Sequence, residues 1–155
     1  MSKVAEDRIR KLGLSLSEPP EPIANYVQAV KVGDLVYVSG MAPLVEGKPM
    51  YVGKVGEDLT EKEGYKAAEI CALNCLSVIK RAIGNLDKIK KVVKLTGIVN
   101  SANGFSRQSW VIDGASYLLI KIFGEKGKHS RTVIGANELP MNIACSIDLL
   151  VQVET

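Results

Sequence analysis

The sequence has few of the residues that usually carry metal or redox chemistry. Its 155 residues include one histidine, three cysteines, one tryptophan and two phenylalanines. Cys71 and Cys75 stand four residues apart, and neither a second cysteine pair nor a nearby histidine completes a zinc ligand set. We therefore predict no metal and no cofactor. Because free cysteine is usually buried, we interpret Cys71, Cys75 and Cys145 as reduced thiols of the core.

Long apolar runs and strong net charge are also lacking. No apolar run approaches the roughly 20 residues that a membrane helix needs. The N-terminal stretch MSKVAEDRIRKLG is charged and has no signal-peptide core. The formal net charge of +3 is scattered, and its short clusters, KIKKVVK and GEKGKH, are typical of a solvated face. We expect a cytoplasmic protein with no membrane and no nucleic-acid partner.

What is present is the composition of one globular domain. With 46% hydrophobic and 24% charged residues, the chain has enough material for a proper core, and we assign residues 1–155 to a single domain. Residues 1–20 are predicted to form a short helix that ends near Gly13, followed by the extended Pro-rich stretch SEPPEP. The segments YVQAVKV and LVYVSG, joined by a Gly-Asp pair, predict a hairpin. Residues 44–58 carry no clear pattern.

Two helices can be placed from their end signals. Thr60 and Glu63 form the pattern of a capping box, which predicts the start of a long helix that ends at Gly84. A second helix is predicted from about Arg107 to Phe123. The apolar stripe of the long helix recurs at helical spacing and consists of Ala68, Cys71, Cys75, Ile79 and Ala82.

The remaining patterns predict strands. KKVVKLTGIVN is expected to be a strand, and two more close the chain. In the last of them Ile147, Leu149, Val151 and Val153 alternate with Ser146, Asp148, Leu150 and Gln152. This order of elements predicts an α+β domain in which two helices pack on one face of a single sheet. The other face carries mixed residues, so it either meets solvent or is covered by another copy of the chain, and we expect oligomerisation.

Several phrases, in their joint order and spacing, carry a family resemblance. PIANYVQAV, LVYVSGMAP, the helix start at DLT and HSRTVIGANELPMNIACSIDLLVQVE together resemble the RidA (YjgF) family of imine and enamine deaminases. The extra N-terminal helix and the phrase VIDGASYLL are similar to the longer-chain branch of that family. The resemblance implies a chorismate-mutase-like fold with a mixed sheet, and a homotrimer with a central barrel and clefts between subunits. It also implies hydrolytic deamination of short 2-imino or enamine acids to 2-keto acids and ammonia.

Arg131, in the stretch GKHSRTVIGANELP, is the central candidate of the site. The resemblance implies that it binds the substrate carboxylate, a role that suits the rigid donor fork of a guanidinium. From the pattern alone, an arginine at a strand start more often forms an ion pair, here with Glu138 or Asp148. The single histidine, His129, is expected to be exposed and without a role.

The resemblance implies four further site residues. Tyr26 would hold substrate or water with its hydroxyl, although an aromatic residue packed at an interface is an equal interpretation. Ser39 and Gly40 match the segment whose backbone approaches the ligand, and a glycine there leaves room. Asn100 lies near the position of the cleft asparagine, but turn formation also explains an asparagine there.

One position departs from the family pattern. Where family deaminases carry a glutamate in the last strand, this chain has Ser146, which cannot act as a base without an activating neighbour. Asp148 lies on the same face, roughly 7 Å further on, and is a possible substitute through a water. Two functions therefore stay open: imine deamination, or binding of small carboxylates without chemistry. An endoribonuclease ranks third, because paired histidines and a basic stripe with aromatics are lacking.

Overall fold

The computed structural model describes residues 2–22 and 24–155; Met1 and Ile23, the second residue of PIANYVQAV, lie outside the described residues. This part of the chain contains three α-helices: α1 (Val4–Lys11), α2 (Glu61–Ile83) and α3 (Gln108–Phe123). None of them combines the length and the apolar character needed to cross a bilayer.

The main sheet of the described chain has five strands in the order β1-β2-β7-β5-β6. Their bounds are β1 (Ala29–Val32), β2 (Leu35–Met41), β5 (Ile89–Asn100), β6 (Ser130–Ala136) and β7 (Cys145–Val153). β1 and β2 form the predicted hairpin, and β5 pairs with β6 in parallel, which makes the sheet mixed. The parallel pair requires a crossover, which α3 supplies. Residues 44–58 include only a minor hairpin, β3 (Leu44–Val45) with β4 (Lys48–Pro49).

Helix α2 begins and ends where its sequence signals place it. The Thr60 hydroxyl accepts a hydrogen bond from the Glu63 backbone N–H at 3.1 Å, and the Glu63 carboxylate accepts one from the Thr60 N–H at 3.0 Å. Both bonds satisfy N–H groups that a helix start leaves free. The helix ends at Gly84, whose φ of 88° suits glycine. Ala82, in the last turn, is exposed, so the buried stripe ends one turn earlier than predicted.

The core lies between the sheet and helices α2 and α3. On β7 the predicted apolar face is confirmed: Ile147, Leu149, Val151 and Val153 are each at most 2% exposed. Each large aliphatic side chain buried in this way contributes about 1.5–3 kcal/mol. α3 packs so closely on β5 that a Cβ at Gly97 would lie 2.7 Å from a carbon of Ile112. All three cysteines are buried and reduced in this layer, as predicted.

Helix α1 adds an outer layer on α3. Its first backbone N–H groups, those of Val4 and Ala5, donate to the Asp87 carboxylate at 2.9 Å each. Arg8 donates to the Ile122 carbonyl at the end of α3 at 2.8 Å. The N-terminal helix is therefore fastened to the domain at both of its ends.

In the described chain no α-helix packs on the second face of the main sheet, and we call it the helix-free face. Several of its apolar side chains are strongly exposed, with exposed fractions between 48% and 59%: Val30, Val32, Tyr37 and Ile134. The strand register places Val30 opposite Tyr37 and Tyr37 opposite Leu150, so these groups form a continuous surface. An uncovered apolar surface of this kind is typical of an interaction face.

Candidate functional site

A cavity of about 300 Å³ opens on the helix-free face, and it brings together three of the predicted site residues, Tyr26, Gly40 and Ser146. We call it the Tyr26 cavity. Ser146 and Ile98 are direct cross-strand partners on β7 and β5, so a hydroxyl and an aliphatic side chain lie side by side. The remaining wall is largely apolar and includes Met41, Ala42, Leu44, Leu139, Met141 and Ile143.

Gly40 is needed because of the space around Ser146. The pairing of β2 with β7 shifts register between Val38 and Met41, which is the signature of a bulge. A Cβ built at Gly40 would lie 2.8 Å from the Ser146 hydroxyl oxygen. A side chain at residue 40 would therefore require the Ser146 hydroxyl to move, whereas glycine leaves it in place.

Ser39 does not line the cavity but positions the segment that does. Its hydroxyl donates to the Val27 carbonyl at 2.8 Å, and its backbone N–H donates to the Gln28 carbonyl at 2.8 Å. These two bonds fix the chain directly after Tyr26, whose side chain is 44% exposed. Ser39 was predicted to contribute to substrate binding, but its hydroxyl is already hydrogen-bonded within the chain.

The N-terminal segment supplies a wall that sequence analysis missed. Pro20 and Glu21 line the cavity. The Gln28 side chain, only 6% exposed, donates to the Pro20 carbonyl and accepts from the Arg81 guanidinium of α2. The signal in the sequence was a glutamine among hydrophobic strand residues, because a buried side-chain amide needs hydrogen-bond partners from another segment.

Asn100 is buried and does not line the cavity. Its amide NH2 group shares its two protons among three acceptors: the Gly53 carbonyl at 3.2 Å, the Asn142 side-chain oxygen at 3.0 Å and the Ile143 carbonyl at 3.0 Å. Its oxygen accepts from the Lys54 ammonium at 3.1 Å. Asn142 is held with a positive φ of 54°. The Asn100 amide therefore supports the loop whose residues 139–141 form the cavity rim, and no part of it is exposed to a ligand.

Arg131 lies on the helix side of β6. Its Nη1 donates to the Asp113 carboxylate at 2.7 Å and to the Ser116 hydroxyl at 3.1 Å, both on α3. The side chains of Arg131 and Asp113 are 24% and 25% exposed. The ion pair expected from the pattern therefore exists, but its partner is Asp113. The prediction of Glu138 or Asp148 as the partner was wrong, because α3 packs against β6 and brings Asp113 to the guanidinium.

His129 belongs to the same group of residues. Its Nδ1 lies 2.6 Å from the Gly127 carbonyl, which can only accept, so Nδ1 carries the proton in the neutral ring. Its Nε2 then accepts from the Ser116 hydroxyl at 2.9 Å. The histidine is half-buried, so the expectation of an exposed side chain was wrong. We call Asp113, Ser116, His129 and Arg131 the arginine cluster.

The arginine cluster and the Tyr26 cavity lie on opposite faces of the sheet. Arg131 pairs in register with Leu95, whereas Ile134 pairs with Ile98 and Ile98 with Ser146. Arg131 is thus three residues along and two strands across from Ser146, or roughly 10 Å in each direction. One copy of the chain cannot bring both residues to the same small ligand.

Asp148 lies on the helix-free face, two residues beyond Ser146. Burial raises the pKa of its carboxyl above the ordinary value, although the hydrogen bond from Thr96 and the charge of Lys94 oppose the rise. A carboxyl with a raised pKa exchanges protons closer to neutral pH than an exposed aspartate does. Among residues 2–22 and 24–155, no three His, Cys, Asp or Glu side chains are grouped so that they could hold a metal ion.

Comparison with known proteins places this architecture in a family. Residues 6–153 match the family described as "YjgF/chorismate_mutase-like, putative endoribonuclease". The chain is 40% identical to Protein TCP17 of Trypanosoma cruzi over 157 aligned positions, covering 98% of each chain. The crystal structure of Atu1372 from Agrobacterium tumefaciens superposes with a TM-score of 0.91 at 41% identity, covering 98% of this chain and 94% of that one.

A third relative has an enzymatic name. The 2-iminobutanoate/2-iminopropanoate deaminase of Dermatophagoides farinae is 27% identical over 136 residues, covering 87% of this chain and 91% of its own. Together the fold and these similarities define the class of protein. The chain belongs to the YjgF/chorismate-mutase-like family, as the resemblance predicted.

Proposed function

We propose that the protein hydrolyses 2-imino acids to 2-keto acids and ammonia, in clefts between the subunits of a homotrimer. The observation that carries the proposal is the division of the site residues between the two faces of the sheet. Tyr26, Gly40 and Ser146 line one cavity on the helix-free face. Arg131 lies on the edge strand β6, on the opposite face of the sheet. A second copy of the chain is the natural source of the arginine that the cavity lacks.

The charge of the cavity supports this arrangement. Among the described residues that line it, Glu21 is the only charged one, so the cavity of a single copy offers no cation to a substrate carboxylate. Arg131 of a neighbouring subunit supplies that cation. The exposed apolar groups of the helix-free face, Val30, Tyr37 and Ile134 among them, become buried in the same assembly.

The reaction needs modest assistance from the protein. Water adds to the imine carbon and forms a C–O bond, while one of its protons moves to nitrogen and gives an amino alcohol. The hydroxyl proton then moves to nitrogen as the C–N bond breaks, which releases ammonia and leaves the keto acid. Arg131 holds the carboxylate, and Tyr26 with the backbone at Gly40 orients the imine. Because imines already hydrolyse in water, positioning alone gives useful acceleration.

Proton transfer is assigned to Asp148 through a bridging water. Ser146 lacks the basicity of a carboxylate, whereas Asp148 lies on the same face and its pKa is raised by burial. A base of this kind works when deprotonated. Activity is therefore expected to rise as the pH increases through the raised pKa of Asp148 and to fall in more acidic solution.

The imine-trapping assay tests the proposal. An amino-acid oxidase generates the imine, semicarbazide traps it, and the semicarbazone signal is expected to fall as protein is added. An undiminished signal at high protein concentration would refute hydrolysis. Light scattering at micromolar concentration checks the assembly, and a stable monomer would contradict the two-copy site.

Binding of small carboxylates without chemistry is the second candidate. It is favoured by Ser146 in the place of a glutamate and by the pairing of Arg131 with Asp113, which lowers the positive charge available for catalysis. In that case isothermal titration calorimetry registers 2-keto acid binding while the trapping assay shows no effect. The endoribonuclease activity in the family's description has no comparable support here, because the chain has a single histidine.

A further inference from the structure

We infer that the Tyr26 cavity selects 2-imino acids with an apolar side chain of about four non-hydrogen atoms, such as those derived from leucine or methionine, over the alanine-derived imine. The inference rests on the proposed function, since it names the substrate class of the same cavity. The family resemblance implies short imino acids as substrates, whereas the apolar wall of the cavity favours longer apolar side chains.

The cavity has a polar corner and an apolar wall. Ser146, Gly40 and Tyr26 line the cavity, and the imine is assigned to the polar groups of these residues. Ile98, the direct cross-strand partner of Ser146, begins the apolar wall, and Leu139 and the other apolar residues continue it. A substrate whose imine carbon lies in the corner therefore has its side chain against aliphatic groups.

The size of the cavity exceeds the needs of a short substrate. Its volume is about 300 Å³. A water molecule occupies about 30 Å³ of liquid, so a methyl side chain leaves several waters against the apolar wall. A leucine side chain has three more carbons and displaces them. Each buried methylene improves binding by roughly fourfold, so a total preference of more than tenfold is expected.

Charge adds a second element of selection. Glu21 is the one charged residue among the described lining, and the cation proposed for the site is already assigned to the substrate's own carboxylate. A second carboxylate would meet Glu21 and an apolar wall without a partner. Burial of an unpaired charge is strongly unfavourable, so 2-oxoglutarate and related dicarboxylates are disfavoured ligands.

The experiment compares three imines made by one enzyme. A D-amino-acid oxidase acts on D-alanine, D-leucine and D-methionine, whose imines have lost the α-carbon stereochemistry, and semicarbazide traps each imine. The protein is expected to hydrolyse the leucine- and methionine-derived imines with kcat/KM at least tenfold above that for the alanine-derived imine. Equal values, or a preference for the alanine-derived imine, would overturn the inference while leaving the proposed function intact.

A matched pair of variants locates the selectivity. Ile98→Phe fills the cavity next to Ser146, and it is expected to lower the leucine-to-alanine ratio at least fivefold. Val45→Phe makes a comparable change at an exposed β3 residue outside the cavity lining and is expected to leave the ratio unchanged. If Ile98→Phe does not fold, Leu139→Phe at the rim replaces it. An unaltered ratio in a folded cavity variant would refute the assignment of the wall.

Equilibrium binding separates this inference from the proposed function. If no imine is hydrolysed faster, the proposed reaction fails, and calorimetry with pyruvate, 4-methyl-2-oxopentanoate and 2-oxoglutarate decides the selectivity alone. The expected result is that 4-methyl-2-oxopentanoate binds at least tenfold more tightly than either of the others. Equal affinities for the three acids would overturn the inference.

Discussion

The Tyr26 cavity and the arginine cluster lie on opposite faces of one sheet, and they differ in how their polar groups are used. In the described chain the hydroxyls of Tyr26 and Ser146 donate to no other group, so they are free for a ligand. In the cluster, Arg131, Asp113, Ser116 and His129 are joined by hydrogen bonds of 2.7–3.1 Å. Among the described residues, one region leaves its hydroxyl groups unpaired, and the other holds a cation in a fixed orientation.

The largest expected effect comes from Arg131→Ala. Loss of a charged contact to a carboxylate in a partly desolvated site costs about 2–5 kcal/mol, so binding of 4-methyl-2-oxopentanoate should weaken by well over tenfold. Isothermal titration calorimetry on the assembled protein measures this. If the variant binds the acid as the parent does, the cluster serves only as an internal brace and the two regions are functionally separate.

Arg107→Ala is the matched control for that change. Arg107 is also an arginine paired within the chain, with its Nε 2.8 Å and 2.9 Å from the two carboxylate oxygens of Glu61. It lies at the start of α3, and neither the cavity nor the cluster includes it. Its replacement should leave keto-acid affinity unchanged, so a similar loss would point to a general effect of removing positive charge.

Ser146→Glu tests the Tyr26 cavity and should have the next largest effect. A carboxylate in the corner of the cavity supplies a base next to the imine, and general-base assistance contributes about 10²–10⁴-fold when fully aligned. Because Gly40 lies close to this position, we expect about tenfold higher kcat and little change in keto-acid affinity. Ser146→Ala is the control. A rise in activity with alanine as well would show that added space, and not a base, is responsible.

A smaller effect is expected at Asp113, where two replacements separate charge from geometry. Asp113→Asn keeps an oxygen acceptor for Arg131 but removes the negative charge that competes with the substrate carboxylate. Partly exposed pairs are worth about 0.2–1 kcal/mol, so keto-acid binding should tighten by roughly 1.4- to 5-fold. Asp113→Ala also removes the acceptor and should weaken binding. Equal affinities for the two variants would show that the cluster does not orient Arg131.

The smallest effect is expected at the three cysteines of the core, which lies between the sheet and the helices. Cys71, Cys75 and Cys145 are fully buried, and burial raises the pKa of the Cys71 and Cys75 thiols, which suppresses the reactive thiolate. We expect no reaction with Ellman's reagent in native protein and three thiols after unfolding in guanidinium. Cys145 is the neighbour of Ser146 on β7, so its rapid labelling in native protein would mean that the sheet opens next to the cavity.

Local signals in the sequence predicted most of the fold but not which of the candidate site residues lie together. The capping box at Thr60 and the alternation after Ser146 depend on neighbours in sequence, and both are confirmed. The partner of Arg131 could not be predicted in this way, because Asp113 lies 18 residues earlier and meets it only when α3 packs on β6. The burial of Asn100 was not predicted for the same reason, since its amide donates hydrogen bonds to a loop more than 40 residues away.

The bonds of Gln28 join three parts of the chain. Through its one side chain, the N-terminal segment at Pro20 is tied to Arg81 on α2, and the same segment forms a wall of the cavity. Docking of the segment and occupancy of the cavity are therefore linked equilibria, and each stabilises the other by the same free energy. A bound keto acid should slow amide hydrogen exchange and proteolytic cleavage in residues 16–22, so the segment reports occupancy without any label in the cavity.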